Sequence, residues 1–153
     1  MPSISSLVAK LVATYPAVHF EVGPEFMWSP TRQTIYYNPA QPHASALLLH
    51  ELAHALLGHD DYRRDIELIS LERQAWDKAG TLTAQFGVLI DEDTRENHLD
   101  SYRDWLHARS TCPNCSAVGY QMKKSLYHCV ACDASWRVNE ARVCALRRHK
   151  VAT

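Results

Sequence analysis

The chain has no long apolar run, no internal repeat and no low-complexity segment. Although 46% of its 153 residues are hydrophobic, no stretch approaches the ~20 apolar residues that a membrane span needs. A membrane partner is therefore not expected. Ile4 to Val12 is short, is interrupted by Lys10 and ends at Tyr15-Pro16, so it reads as an N-terminal helix packed on the core. It does not read as a secretory leader, which makes the expected location cytoplasmic. With no leader, disulfide pairing of the cysteines is disfavoured. A chain of this length makes one real hydrophobic core and has room for one small metal-held module.

What the chain does have is His50-Glu51-Leu52-Ala53-His54, an HExxH motif. Two histidines four apart lie one turn apart on the same helix face, so both imidazoles reach one metal ion. Glu51, beside the first of them, can reach a water at that ion and act as its base. This is the sequence form of a zinc peptidase site. The surroundings fit a helix over Ala44 to Leu57, which is apolar apart from the motif. Pro42 precedes it and Gly58 is placed to end it. Two His and a Glu among leucines and alanines need compensation for their polarity, and a metal supplies it. The plainer alternative is a buried helix whose histidines find ordinary hydrogen bonds.

A catalytic zinc takes three protein ligands and keeps a fourth position for water. His59 is near in sequence, but it lies about 140° around the helix from His54. The HExxHxxGxxH pattern would put the third His at position 60, which is Asp60. His59 therefore reads as a helix C-terminal residue, unless Gly58 breaks the helix and swings it back. Glu72 is the better candidate. Asp65 to Phe86 reads as a second helix with Leu68, Ile69, Ala75, Trp76, Ala79, Leu82 and Phe86 in an apolar stripe, and Glu72 falls within it. A carboxylate on the core face is costly unless it is paired or bound to a metal. The rival Glu67 shares its face with Leu71, Gln74 and Lys78 and looks exposed. A salt bridge to Arg or Lys is the alternative for Glu72.

HELAHALLGH followed by LERQAW resembles the ImmA/IrrE family of zinc metallopeptidases, with its HExxH helix and downstream ExxA-type helix. TIYYNP before the first helix and DSYRDWL after the second extend the resemblance over roughly residues 15 to 109. It implies a small zincin-like metallopeptidase domain with His50 and His54 as metal ligands, Glu51 as general base and Glu72 as third ligand. It also implies a protein substrate, of the DNA-binding repressor type. Trp76 departs from the pattern, since related peptidases often carry Asn or Asp after the Ala.

Hydrolysis also needs a donor for the oxyanion, and Tyr102, His98 and His107 stay open for that role. Gln33 to Asn38 (QTIYYN) is β-rich and pairs plausibly with Glu25 to Trp28 across Ser29-Pro30-Thr31-Arg32. In related peptidases such an edge strand holds the substrate backbone by strand addition. Tyr36 and Tyr37 are then candidates to face substrate, with core packing the default for one of them.

Cys112-Pro113-Asn114-Cys115 and Cys129-Val130-Ala131-Cys132 form two CxxC knuckles thirteen residues apart. That spacing suits a structural four-cysteine zinc site of the ribbon type. Gly119, Tyr120, Leu126 and Tyr127 suggest a hairpin between the knuckles, and a fold so small needs the metal to hold it. Cys144 is left over as a thiol, and His128 is expected to be exposed.

The overall architecture expected is α+β: a metallopeptidase domain over 1–109 and a zinc ribbon with a basic tail over 110–153. Charge divides the same way. Before Ser110 there are 9 Lys/Arg against 15 Asp/Glu, net −6; from Ser110 on there are 7 against 2, net +5. A positive ribbon would contact nucleic acid or an acidic protein. Trp136 and Tyr127 are available to stack on bases, but aromatics in so small a ribbon more often form its core. Three functions are compatible with this reading. They are a zinc endopeptidase cutting a regulatory protein, an SprT-like protease acting on DNA-bound proteins, and a ribbon-based binding protein with a vestigial peptidase site.

Overall fold

The computed structural model describes residues 2–139 and 148–151; Arg142, Cys144 and Arg147 lie outside them. The chain runs α1 (Ile4–Thr14), β1 (His19–Val22), β2 (Met27–Ser29), β3 (Thr34–Tyr37), α2 (Ala44–Leu57), α3 (Asp65–Phe86), α4 (Glu92–Ser110), β4 (Tyr120–Lys123), β5 (Leu126–His128), β6 (Ser135–Val138) and β7 (Arg148–Val151). The class is α+β, with two small sheets. Among the described residues no helix is long and apolar enough to cross a membrane. Two compact units emerge, one of Met1–Asp60 with Leu71–Arg95 and one of Asp61–Ser70 with Glu96–Thr153. The start of α3 and most of α4 thus group with the cysteine-rich segment, whereas the sequence suggested a division at Ser110.

In the first unit the Ser3 hydroxyl caps α1 by accepting from the Ser6 amide, and Leu7 and Leu11 turn the buried face inward. The sheet order is β1-β3-β2, with β1 parallel and β2 antiparallel to β3. The hairpin of Met27–Ser29 with Thr34–Tyr37 is the one the turn residues predicted. The expectation of an edge strand at QTIYYN is corrected: β3 is central, paired on both sides, with Thr34 and Ile35 buried. Strand addition to β3 is excluded, because β1 and β2 already occupy its hydrogen-bonding edges. The edges fall to β1 and β2.

α2 has the bounds its flanking residues suggested. Gly58 ends it in the left-handed region at φ 68°, donating to the Ala55 carbonyl, a conformation that favours glycine. α2 buries Ala46, Leu48, Leu49, Leu52 and Ala53 together with both histidines. α3 also has the expected bounds, with Ala75, Trp76, Ala79, Leu82 and Phe86 buried. Gly87 closes it at φ 65°. The Asp91 carboxylate accepts from the Thr94 amide at 2.6 Å and caps α4, so this acidic run is helix-start charge.

The second unit is built on two copies of one knuckle. The Cys112 amide donates to the Ala117 carbonyl and the Ser116 amide to the Cys112 carbonyl. Cys129, Ala134 and Asp133 repeat both bonds. Ser116 and Asp133 sit at φ 67° and 66°. The sheet order is β4-β5-β6-β7, all antiparallel. Tyr127 and Trp136 are buried and stacked at 5.8 Å, so these two aromatics are core and are not available to bases. Gly119 has no alternative: a Cβ there would lie 2.5 Å from the Trp136 ring and 2.6 Å from the His128 carbonyl oxygen.

Candidate metal centres

The first unit brings His50, His54 and Glu72 together. His50 Nε2 lies 2.7 Å from Glu72 Oε2, His54 Nε2 lies 3.1 Å from His50 Nε2, and His54 Nε2 lies 3.3 Å from the Glu72 carboxylate. Three ligand-type atoms from α2 and α3 therefore converge on one point. Metal–ligand bonds of about 2.0–2.2 Å in a tetrahedral site would space these atoms by roughly 3.3–3.6 Å, close to the two His54 separations, while His50 and Glu72 stand at hydrogen-bond distance. All three residues are buried.

The protonation states suit a cation. Burial pushes the His50 imidazole down, towards the neutral form that ligates metals. Burial alone would raise the Glu72 carboxyl, but hydrogen bonds with His50 and His54 hold it well below the usual carboxylate range. Glu67, its rival, is exposed and accepts from the Arg63 amide. Glu72 is not in a salt bridge with Arg or Lys among the described residues.

His59 does more than end the helix. Its amide donates to the His54 carbonyl as a helix end should, but Gly58 also swings the ring back towards α2. His59 Nδ1 lies 2.9 Å from His54 Nδ1, and His59 Nε2 lies 3.1 Å from Gln74 Oε1. Burial pushes His59 down towards neutrality. Gln74 and His54 thus hold the His59 ring between them, and His59 in turn orients the His54 ring, whose Nε2 faces Glu72. The turn is further held by the Trp28 indole N–H, which donates to the His59 carbonyl.

His59→Ala is therefore expected to weaken metal binding at this site about 10–100-fold without removing a ligand. Competition against a chromogenic chelator measures it. Unchanged affinity would deny the orienting role, and complete loss of the ion would make His59 itself a ligand.

Trp76, the residue that departs from the family pattern, stacks on His50 at 4.3 Å between ring centroids. The ring is thereby fixed by packing. Glu51 follows His50 and is half-buried. Tyr102, His98 and His107 lie on α4 in the second unit, and the first two rings pack against each other at 5.3 Å.

The second unit holds the four-cysteine cluster. Cys112, Cys115, Cys129 and Cys132 place their sulfurs within 4.8 Å of one another. Cys112 and Cys132 are 3.6 Å apart, and Cys115 and Cys129 3.5 Å. None is in a disulfide. A tetrahedral ion with metal–sulfur bonds of about 2.3 Å spaces its sulfurs by about 3.8 Å, so the cluster is metal-sized. The Asn114 side chain and then the Ala134 amide pull the Cys132 thiol down to about 6. The Ala117 amide acts to lower Cys115, but hydrogen bonds with the neighbouring sulfurs and desolvation push it up to about 12. Crowded thiols of this kind favour exchange of their protons for a cation. His128 is not a fifth ligand: its ring is held between Ser135 Oγ at 2.8 Å and Asp133 Oδ1 at 2.9 Å.

Both clusters have the donors and dimensions to hold metal ions. No family model, no curated protein and no solved structure matches the chain, so its chemistry has to be read from these residues themselves.

Proposed function

We propose that the chain is a zinc-dependent endopeptidase, ImmA/IrrE-like in its site, that cleaves a regulatory protein of the repressor type. The observation that carries this reading is the convergence of His50 Nε2, His54 Nε2 and the Glu72 carboxylate, with the half-buried Glu51 next to His50 in sequence. Two neutral imidazoles and one carboxylate are the ligand types of a catalytic zinc with an open position. A bound zinc supplies Lewis acidity and makes water acidic near neutral pH. Glu51 takes the proton from the attacking water and passes it to the leaving amine. His59 and Trp76 hold the two imidazoles in register. The four cysteines hold a structural zinc in a ribbon. The repressor-type substrate comes from the family resemblance alone.

The SprT-like alternative draws support from the ribbon. It expects a His-Gly pattern downstream of HExxH, however, and the sequence contains none. Cleavage accelerated by added DNA would favour it.

Glu51→Gln is the test. On unfolded casein as a generic substrate, the variant is expected to lose about 10²–10⁴-fold in rate while keeping its full zinc content by elemental analysis. Equal rates in wild type and variant would remove Glu51 from the chemistry. No hydrolysis by zinc-replete wild type would favour a binding protein with a vestigial site.

A further inference from the structure

The second unit carries a surface that neither metal centre uses. A groove of about 600 Å³ is lined by Ile66 and Arg64 before and at the start of α3, Leu106 near the end of α4, and Val118, Tyr120 and Met122 around β4. Ile66, Val118, Tyr120 and Met122 are each more than half exposed. The ribbon's own core is made from Tyr127, Ala134, Trp136 and Val138 together with the cysteines, and it leaves these four side chains outside. Large apolar side chains grouped in this way on one small unit mark an interaction surface.

The rim says what it takes. A shallower depression shares Arg64, Gln121 and Met122 with the groove and adds Arg63, Lys123 and Lys124. One acid, Asp61, lies among these cations, and it is paired with Lys124 at 3.4 Å. Four cations against Asp61 and Glu67, whose carboxylate accepts from the Arg63 amide, still leave a local excess of positive charge beside an apolar floor. β4 is the edge strand of its sheet among the described residues. Tyr120 and Met122 both line the groove, Met122 at the bulge between Gln121 and Lys123.

We infer that this groove binds an extended peptide segment in which apolar side chains at alternate positions are flanked by Asp or Glu. The apolar residues fill the floor, the carboxylates meet Arg63, Arg64 and Lys123, and the edge of β4 offers backbone hydrogen bonds. Nucleic acid fits less well. Its phosphates would suit the rim, but of the three tyrosines at the groove and rim Tyr127 is buried and stacked on Trp136 and Tyr62 is covered by Lys124, which leaves Tyr120 as the open ring beside Ile66, Val118 and Met122. This inference does not rest on the hydrolase reading, because it concerns binding to the second unit alone.

Selection of random displayed peptides of about twelve residues on the full, zinc-loaded chain tests it, with parallel selection on Met122→Asp. The consensus peptide is then labelled and titrated against wild type, Met122→Asp and Arg64→Glu, with a labelled oligothymidylate as the nucleic-acid probe. The expected result is an apolar–acidic consensus whose affinity falls at least about tenfold in both variants, while zinc content stays at the wild-type level. Both side chains are exposed, so the fold is expected to survive. Three results would each overturn the inference: no enrichment beyond the Met122→Asp control, a consensus without acidic residues, or tighter, Met122-dependent binding of the oligonucleotide.

Discussion

Glu72→Gln is expected to take the chain from about two bound zinc ions to about one and to abolish hydrolysis. The substitution keeps the side chain's shape but removes the charge that two imidazoles share. The His50 and His54 Nε2 atoms stand 3.1 Å apart; alone they give an ion two ligands and no anionic partner. The loss should exceed the ~10–100-fold expected when a supporting partner such as His59 is removed. The ion that remains should be the one held by the four cysteines, whose sulfurs belong to the other compact unit. Elemental analysis of wild type and variant decides the matter. Two zinc ions in both would remove Glu72 from the ligand set. One zinc in both would mean that the His–Glu cluster is empty as purified, and the vestigial-site reading would then lead.

Some of this was legible in the sequence because local rules coincide with the tertiary outcome. Pro42 and Gly58 bracket α2, and an unbroken apolar stripe marks α3, so both helices have the expected bounds. Glu72 was noticed because a carboxylate in that stripe is costly without a partner, and the structure gives it two histidines. The cysteine knuckles were legible for a similar reason: their spacing is set by metal geometry rather than by the rest of the fold.

What was missed depends on distance along the chain. β1 (HFEV) alternates polar and apolar residues, but at four residues with mostly exposed side chains the pattern is too short to mark a strand. Its parallel pairing with β3 requires a crossover that a hairpin reading cannot contain. β3 was therefore taken for an edge. For His59 the sequence leaves two placements open, a helix end or a ring swung back at Gly58, and only the left-handed Gly58 of the fold decides for the second. The Asp65–Arg109 pair, separated by 44 residues, leaves no trace in any local pattern. It also joins the start of α3 to the end of α4 within the second unit, a grouping that the division at Ser110 had cut through.

That buried pair supports the second large prediction. Asp65 and Arg109 are each 1% exposed. The Asp65 carboxylate accepts from Arg109 Nε at 2.7 Å and from the Tyr127 hydroxyl at 2.6 Å, while its amide donates to Gln121 Oε1 at 2.7 Å. Burial first, and then the bond to Asp65, raise the Tyr127 phenol well above its ordinary value, so it stays a neutral donor. Arg109 also donates to the Asn139 carbonyl and lies 4.7 Å over the Trp105 ring, and its own carbonyl accepts from the Trp136 indole. Helix α3, helix α4 and the ribbon sheet thus meet at one carboxylate. Asp65→Ala leaves a guanidinium buried without its anion and a buried phenol without its acceptor, at an expected cost of about 3–5 kcal/mol. Against the ~5–15 kcal/mol that holds a typical domain folded, that is a large fraction. Denaturant unfolding, followed through release of the zinc proposed for the four cysteines to a chromogenic indicator, reports the stability of this unit. Removing both charges, as in Asp65→Ala with Arg109→Met, should recover part of the loss, because no uncompensated charge then remains. A change within about 0.5 kcal/mol for Asp65→Ala, the usual range for surface positions, would show that the network contributes nothing to the unit's stability.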